Sequence, residues 1–167
     1  KYQTPWGAAV NFDDAGCAAA RQMVLASVHH WIERYHFDGL RLDAVHAIKD
    51  SRRPHILEEI ATAARALEKK LGRRIVVIAE TDANDVRLIK PKEAGGYGLD
   101  AQWMDDFHHT VHTVLTGEDK GYYQDYGKFI YLEKVYRNYL YTGEYSRFWN
   151  KNRGGDAAQI PGSRFVV

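Results

Sequence analysis

Cysteine, methionine and proline are scarce in this 167-residue chain: Cys17 stands alone, beside two methionines and four prolines. A lone cysteine excludes an internal disulfide and any metal site built from several thiolates. It is compatible with a reducing compartment. Charge of one sign is missing too. The 23 basic and 22 acidic residues leave a formal net charge of +1, which gives no electrostatic pull toward nucleic acid or an anionic membrane. No apolar run comes near the roughly 18 residues that a membrane span requires. Lys1 to Trp6 has no apolar stretch behind a basic start, so no signal-peptide pattern is expected there. These absences point to the cytoplasm, with no nucleic-acid or membrane partner.

What is present suits a soluble domain with a real core: 45% of residues are hydrophobic and 27% charged. Aromatics reach 13%, with 11 tyrosines and four tryptophans. Aromatic faces stack on sugar rings but also fill ordinary cores, so their number alone decides nothing.

Turn formers from Pro5 to Gly16 predict a loop over residues 1–16. Met23, Val24, Val28, Trp31 and Ile32 recur at helical spacing and predict a helix from Ala18 to Tyr35. Alternation then predicts a strand over Phe37 to Val45, with Arg41 and Asp43 on one side. A second helix is expected with Pro54 in its first turn and Ser51 as cap, carrying Ile56, Leu57, Ile60, Ala63, Ala64 and Leu67. Ile75 to Ala79 reads as a strand buried on both faces. A short strand is expected at Ala101 to Met104, helices at His108 to Leu115 and Phe129 to Leu140, and a strand start at Arg164 to Val167. This repeating α/β pattern fits an open doubly wound sheet and a (β/α)8 barrel equally. In both folds, active residues gather at the C-terminal ends of strands.

Asp43 ends one predicted strand, and Glu80, 37 residues on, ends the next. Two carboxyls at neighbouring strand ends are the minimum machinery for hydrolysing a glycosidic bond, at a separation of roughly 5–5.5 Å in a retaining enzyme. Arg41 beside Asp43 would keep a nucleophile ionised and oriented; a plain structural ion pair fits as well. Glu80 after an apolar run suits a general acid, and equally an exposed residue just past a strand.

The densest polar cluster is Trp103-Met104-Asp105-Asp106-Phe107-His108-His109, with His112 following. His108 and His109 are adjacent and would diverge on a helix, and no Glu lies between His108 and His112 as a metalloprotease pattern needs. Binding of sugar hydroxyls is the favoured reading, with plain structural roles open. His46 carries the same two readings. Gly95-Gly96-Tyr97-Gly98 lacks the spacing of a nucleotide loop.

Asp38-Gly39-Leu40-Arg41-Leu42-Asp43-Ala44 resembles the fourth-strand motif of the α-amylase superfamily, glycoside hydrolase family 13, and Ile78-Ala79-Glu80 resembles its fifth-strand motif. Tyr2 to Asp13, Asp43 to Ile48, Ala79 to Asp85 and Leu99 to Tyr123 are similar to a trehalose-releasing branch of that superfamily, so the resemblance covers essentially the whole chain. It implies a partial (β/α)8 TIM barrel, from roughly the third-strand loop to the start of the seventh strand, with residues 1–167 inside one catalytic domain. It also implies retaining hydrolysis of the α-1,4 bond next to the terminal trehalose of malto-oligosyltrehalose or a related α-1,4-glucan. Asp43 would match the nucleophile, Arg41 its orienting partner and Glu80 the general acid/base. His46, Asp105, Asp106, His108 and His109 would match substrate contacts; no cofactor or metal is implied. The family's third- and seventh-strand motifs match nothing here and are expected to flank the chain. Residues 1–167 alone are therefore expected to fold poorly and lack activity. Another amylase-type activity and a non-catalytic sugar-binding module are the alternatives, and the presence of both carboxyls argues against the second.

Overall fold

Strand and helix alternate along the chain much as its apolar periodicity predicts. A computed structural model describes residues 1–167 apart from 137, 138, 141, 142, 156 and 159. Lys1–Ala79 with Arg87–Ala101 form one unit, and Glu80–Val86 with Gln102–Val167 form the other.

The first unit begins with a hairpin where only loop was expected. β1 (Gln3–Thr4) and β2 (Gly7–Ala8) pair antiparallel, Gln3 with Ala8 and Thr4 with Gly7. α1 (Cys17–His29) follows and runs into a π turn, His30–Arg34. Val28 and Ile32 are buried as expected, but Met23 and Trp31 are exposed. The inner stripe is centred instead on Arg21, which is 5% exposed. Its guanidinium pairs with Asp50 at 2.6 Å and Glu59 at 3.0 Å. It also donates to the carbonyls of Phe12 and Pro54. A buried guanidinium so fully bonded fixes which face of α1 turns inward.

β3 (Gly39–Leu42) and β4 (Val76–Thr81) pair in parallel, from Gly39 beside Val76 to Leu42 beside Ala79. Between them runs α2 (Ile56–Leu71), whose residues Ile56, Leu57, Ile60, Ala61, Ala64 and Leu67 form its buried stripe. It starts later than Ser51 and Pro54 suggest. His55 is the cap, its ring nitrogen accepting from Leu57 N–H at 3.1 Å. Asp50 accepts from Ile56 N–H at 2.7 Å, while Ser51 is drawn away to Asp13 through its N–H and hydroxyl. Glu58 and Glu59 in the first turn, and Lys69 and Lys70 in the last, complement the helix dipole. Gly72, in the left-handed region at φ 64°, ends the helix. β4 is not sealed on both faces: Val77, Ala79 and Thr81 are buried, while Val76, Ile78 and Glu80 are half-exposed. Side chains alternate along a strand, and one face has less protein over it.

In the second unit β5 (Ala101–Met104) contributes Gln102 and Trp103, which pair in parallel with Phe165 and Val166 of a C-terminal strand. α3 (Asp105–Thr116) follows β5 without a linker, and α4 (Tyr131–Val135) packs against it. β6 (Tyr145–Ser146) and β7 (Lys151–Asn152) make a hairpin, and β8 is Phe165–Val166. The helix expected over Phe129 to Leu140 stops at Val135, with Arg137 and Asn138 outside the described residues. Leu140 N–H is not in a helix ladder but bonds to Asp106. Tyr126, Val135 and Leu140 form one small core, and Val86, Met104, Tyr139 and Ala157 another.

Candidate active site

In the first unit, β3 delivers Arg41 and Asp43 to its C-terminal end. Arg41 donates to a carboxylate oxygen of Asp43, whose side chain is 76% exposed. The next residue, Ala44, sits in the left-handed region at φ 46°. For a residue with a Cβ this costs roughly 1–2 kcal/mol, and such strain collects at functional sites. It turns the chain sharply into the 3-10 turn Val45–Ala47. That turn sets the His46 ring 6.2 Å from the ring of Trp6.

Asp43 and Trp6 line one groove of about 340 Å³, with Val10, Phe12, Ile48 and Lys49 among the other walls. Trp6 is 71% exposed at the tip of the β1–β2 hairpin. Its N–H is held by the Thr4 hydroxyl oxygen at 3.2 Å, and that hydroxyl donates to the Gly7 carbonyl at 3.0 Å. The sequence reading did not single out Trp6 as a site residue. The only local signal was a Thr-Pro-Trp-Gly turn, and nothing in it points to Asp43.

In the second unit, Glu80 and the first residues of α3 come together. Asp105, at the start of α3, is hydrogen-bonded to Glu80 and lies 3.9 Å from His108 Nε2. Burial first, then the negative charges of Glu80 and Asp82, push the Asp105 carboxyl up to about 8. Near neutral pH this carboxyl pair therefore keeps a proton. Burial holds His108 below its ordinary range. Burial, with the neighbouring charges of His108 and Arg153, takes His109 down to about 3. His109 is 9% exposed and stacks on Tyr122 with ring centres 4.9 Å apart. His112 pairs with Glu118 at 2.7 Å and stacks on Tyr123.

Asp106 is placed differently from its neighbour. It is fully buried, accepting from Leu140 N–H at 2.7 Å, Asn84 at 2.9 Å and Tyr126 at 3.2 Å. Arg153, 1% exposed, approaches it at 3.7 Å and Asp125 at 3.3 Å. Here the carboxylate is enclosed by protein donors, whereas Asp105 and His108 stay partly open. Among the described residues no cluster of three or more potential ligands is arranged for a metal ion. No described helix is long and apolar enough to cross a membrane.

A malto-oligosyltrehalose trehalohydrolase from Saccharolobus solfataricus is 48% identical over 168 residues, which cover 100% of this chain and 29% of that protein. The chain is similar to these trehalohydrolases along its whole length. One from Mycobacterium tuberculosis is 44% identical over 98% of the chain and 29% of its own length. The chain thus spans under a third of the length of the curated relatives it matches. No family model matches it. A crystal structure of a Salmonella typhimurium protein described as an alpha amylase superposes with a TM-score of 0.83 at 31% identity, covering 99% of this chain and 28% of that one. The fold is part of an α/β barrel of the TIM type, as the strand motifs implied. Resemblance to the trehalose-releasing branch, inferred from short motifs, holds across the full alignment.

Proposed function

We propose that this chain supplies the nucleophile and the acid/base of a retaining hydrolase that cuts the α-1,4 bond next to the terminal trehalose of malto-oligosyltrehalose. The observation that carries this reading is the register of β3 and β4. Leu42 and Ala79 are partners, and the residues immediately after them are Asp43 and Glu80. Neighbouring strands lie about 4.8 Å apart, which suits the carboxyl spacing of a retaining mechanism.

Asp43, ionised beside Arg41, attacks the anomeric carbon while Glu80 protonates the departing glycosidic oxygen. A covalent glycosyl intermediate forms on Asp43, and trehalose leaves as product. Glu80 then takes a proton from water, which releases the glucan with its configuration retained. The Asp105–Glu80 contact supports the acid step, because the pair holds a proton near neutral pH. His46, His108 and His109 are read as substrate contacts, with Asp105 acting beside Glu80 and Asp106 serving as a buried anchor. Both units belong, in this reading, to one catalytic barrel. Its setting is trehalose formation in the cytoplasm, consistent with the single cysteine.

The test is trehalose release by a chimera carrying these 167 residues in place of the matching segment of the Saccharolobus solfataricus relative. Trehalose from malto-oligosyltrehalose, and little product from unmodified malto-oligosaccharide, is expected. Maltose-type or branched products would move the chain to another amylase-type activity.

A further inference from the structure

The groove beside Asp43 contains an aromatic ring that the chemistry above does not use. Trp6 is held out at a hairpin tip, and its exposure has no folding purpose in the first unit: an indole left 71% in water forfeits most of the stabilisation its burial would bring. The hairpin that presents it is nevertheless firmly tied. Tyr2 hydroxyl donates to Asp13 at 2.8 Å, and Asp13 also accepts from Ser51 N–H at 2.9 Å. Ala9 N–H closes the base of the hairpin on the Tyr2 carbonyl at 3.0 Å. A rigid mount for an exposed indole is a device for contact with something else.

The groove's chemistry identifies that partner. Its walls are largely apolar, from Val10, Phe12 and Ile48, with Asp43 and Lys49 as the charged groups. A pyranose ring has the matching character: an apolar C–H face for the indole, and edge hydroxyls for a carboxylate and an ammonium. The volume of about 340 Å³ lies at the small end of ligand sites, which run roughly 300–1,000 Å³. It suits one sugar unit rather than a long glucan. His46, turned toward Trp6 by the strained Ala44, adds a second ring to the same corner.

We infer that Trp6 is the stacking platform for a glucosyl unit of the substrate, seated in the groove that Asp43 lines. This rests on the proposed hydrolase reading, and it adds a binding residue from outside the strand-end motifs.

The experiment separates binding from turnover. Titration calorimetry with malto-oligosyltrehalose is run on the 167-residue chain and on the chimera, each carrying Asp43→Asn to block reaction. Trp6→Ala is expected to weaken binding about tenfold or more, as loss of a central aromatic contact does, while Trp6→Phe retains most of the affinity. With Asp43 intact in the chimera, Trp6→Ala should raise KM about tenfold and leave kcat within about twofold, the mark of lost uniform binding. Unchanged affinity and KM in Trp6→Ala, with trehalose still released, overturns the inference alone. Equal loss in Trp6→Ala and Trp6→Phe with a lowered Tm also overturns it, since that is a folding role. Trp6-dependent binding without any trehalose release keeps the platform and removes the hydrolase reading.

Discussion

Asp106 accepts the backbone N–H of Leu140 at 2.7 Å, across 34 residues of chain. This bond ends any continuation of helix through Leu140 and ties the segment after α4 back to α3. The same carboxylate serves Asn84 and Tyr126 and faces Arg153. Asp106→Ala strips a buried network of its acceptor and leaves a nearly inaccessible guanidinium short of a counter-charge. The expected loss is about 3–5 kcal/mol of stability. Urea titration reads it as a lower midpoint at unchanged slope. A loss under about 1 kcal/mol, the worth of an ordinary hydrogen bond, would mean the network is not cooperative.

Gly39 is required by distance rather than by φ. A Cβ built there lies 2.2 Å from the carbonyl oxygen of Val76, its partner across the β3–β4 pair. Gly39→Ala therefore forces the strands apart at the start of the pair. Overpacking of this kind costs roughly 1–3 kcal/mol. A thermal midpoint equal to that of the native chain would contradict the strand pairing described.

Asp105 makes stability depend on pH. Its carboxyl titrates at about 8 in the folded chain against a reference of 3.8, with burial the largest cause and Glu80, Asp82 and Asp106 the negative neighbours. Between those values the folded chain holds a proton that the unfolded chain has released. Stability contributed by this site is thus greatest below the unfolded value, falls as pH rises through the window, and levels off above about 8. His108, also close, is kept from charging by its burial and does not reverse the sign. Asp105→Asn should flatten this part of the profile, as read from urea midpoints below, within and above the window. The same downward slope in the variant would assign the effect to another group.

The sequence made legible those elements whose cause is local. The apolar run at Val76–Ala79 gave β4, the stripe from Ile56 to Leu67 gave α2, and Ala101–Met104 gave β5. Elements decided by distant partners were misjudged. Ser51 looked like a cap until Asp13 claimed it from 38 residues away, and Asp50 and His55 took over the start of α2. Leu140 looked helical by spacing, but its N–H answers to Asp106. Met23 matched a buried stripe that Arg21 in fact occupies. At the candidate site, Asp43, Arg41 and Glu80 were readable because strand ends announce themselves. Trp6 was not, because it reaches the Asp43 groove through a two-residue-strand hairpin too short to leave a pattern.

The measurement that tests the central claim most directly is trehalose release from malto-oligosyltrehalose by the chimera, compared with its Asp43→Asn and Glu80→Gln variants. The account predicts trehalose from the unsubstituted chimera. It predicts a loss of about 10²–10⁴-fold in Glu80→Gln, the usual worth of a general acid. Asp43→Asn should lose at least as much, since no covalent intermediate can form. If either variant, correctly folded, releases trehalose at the unsubstituted rate, these two strand-end carboxyls are not the catalytic pair.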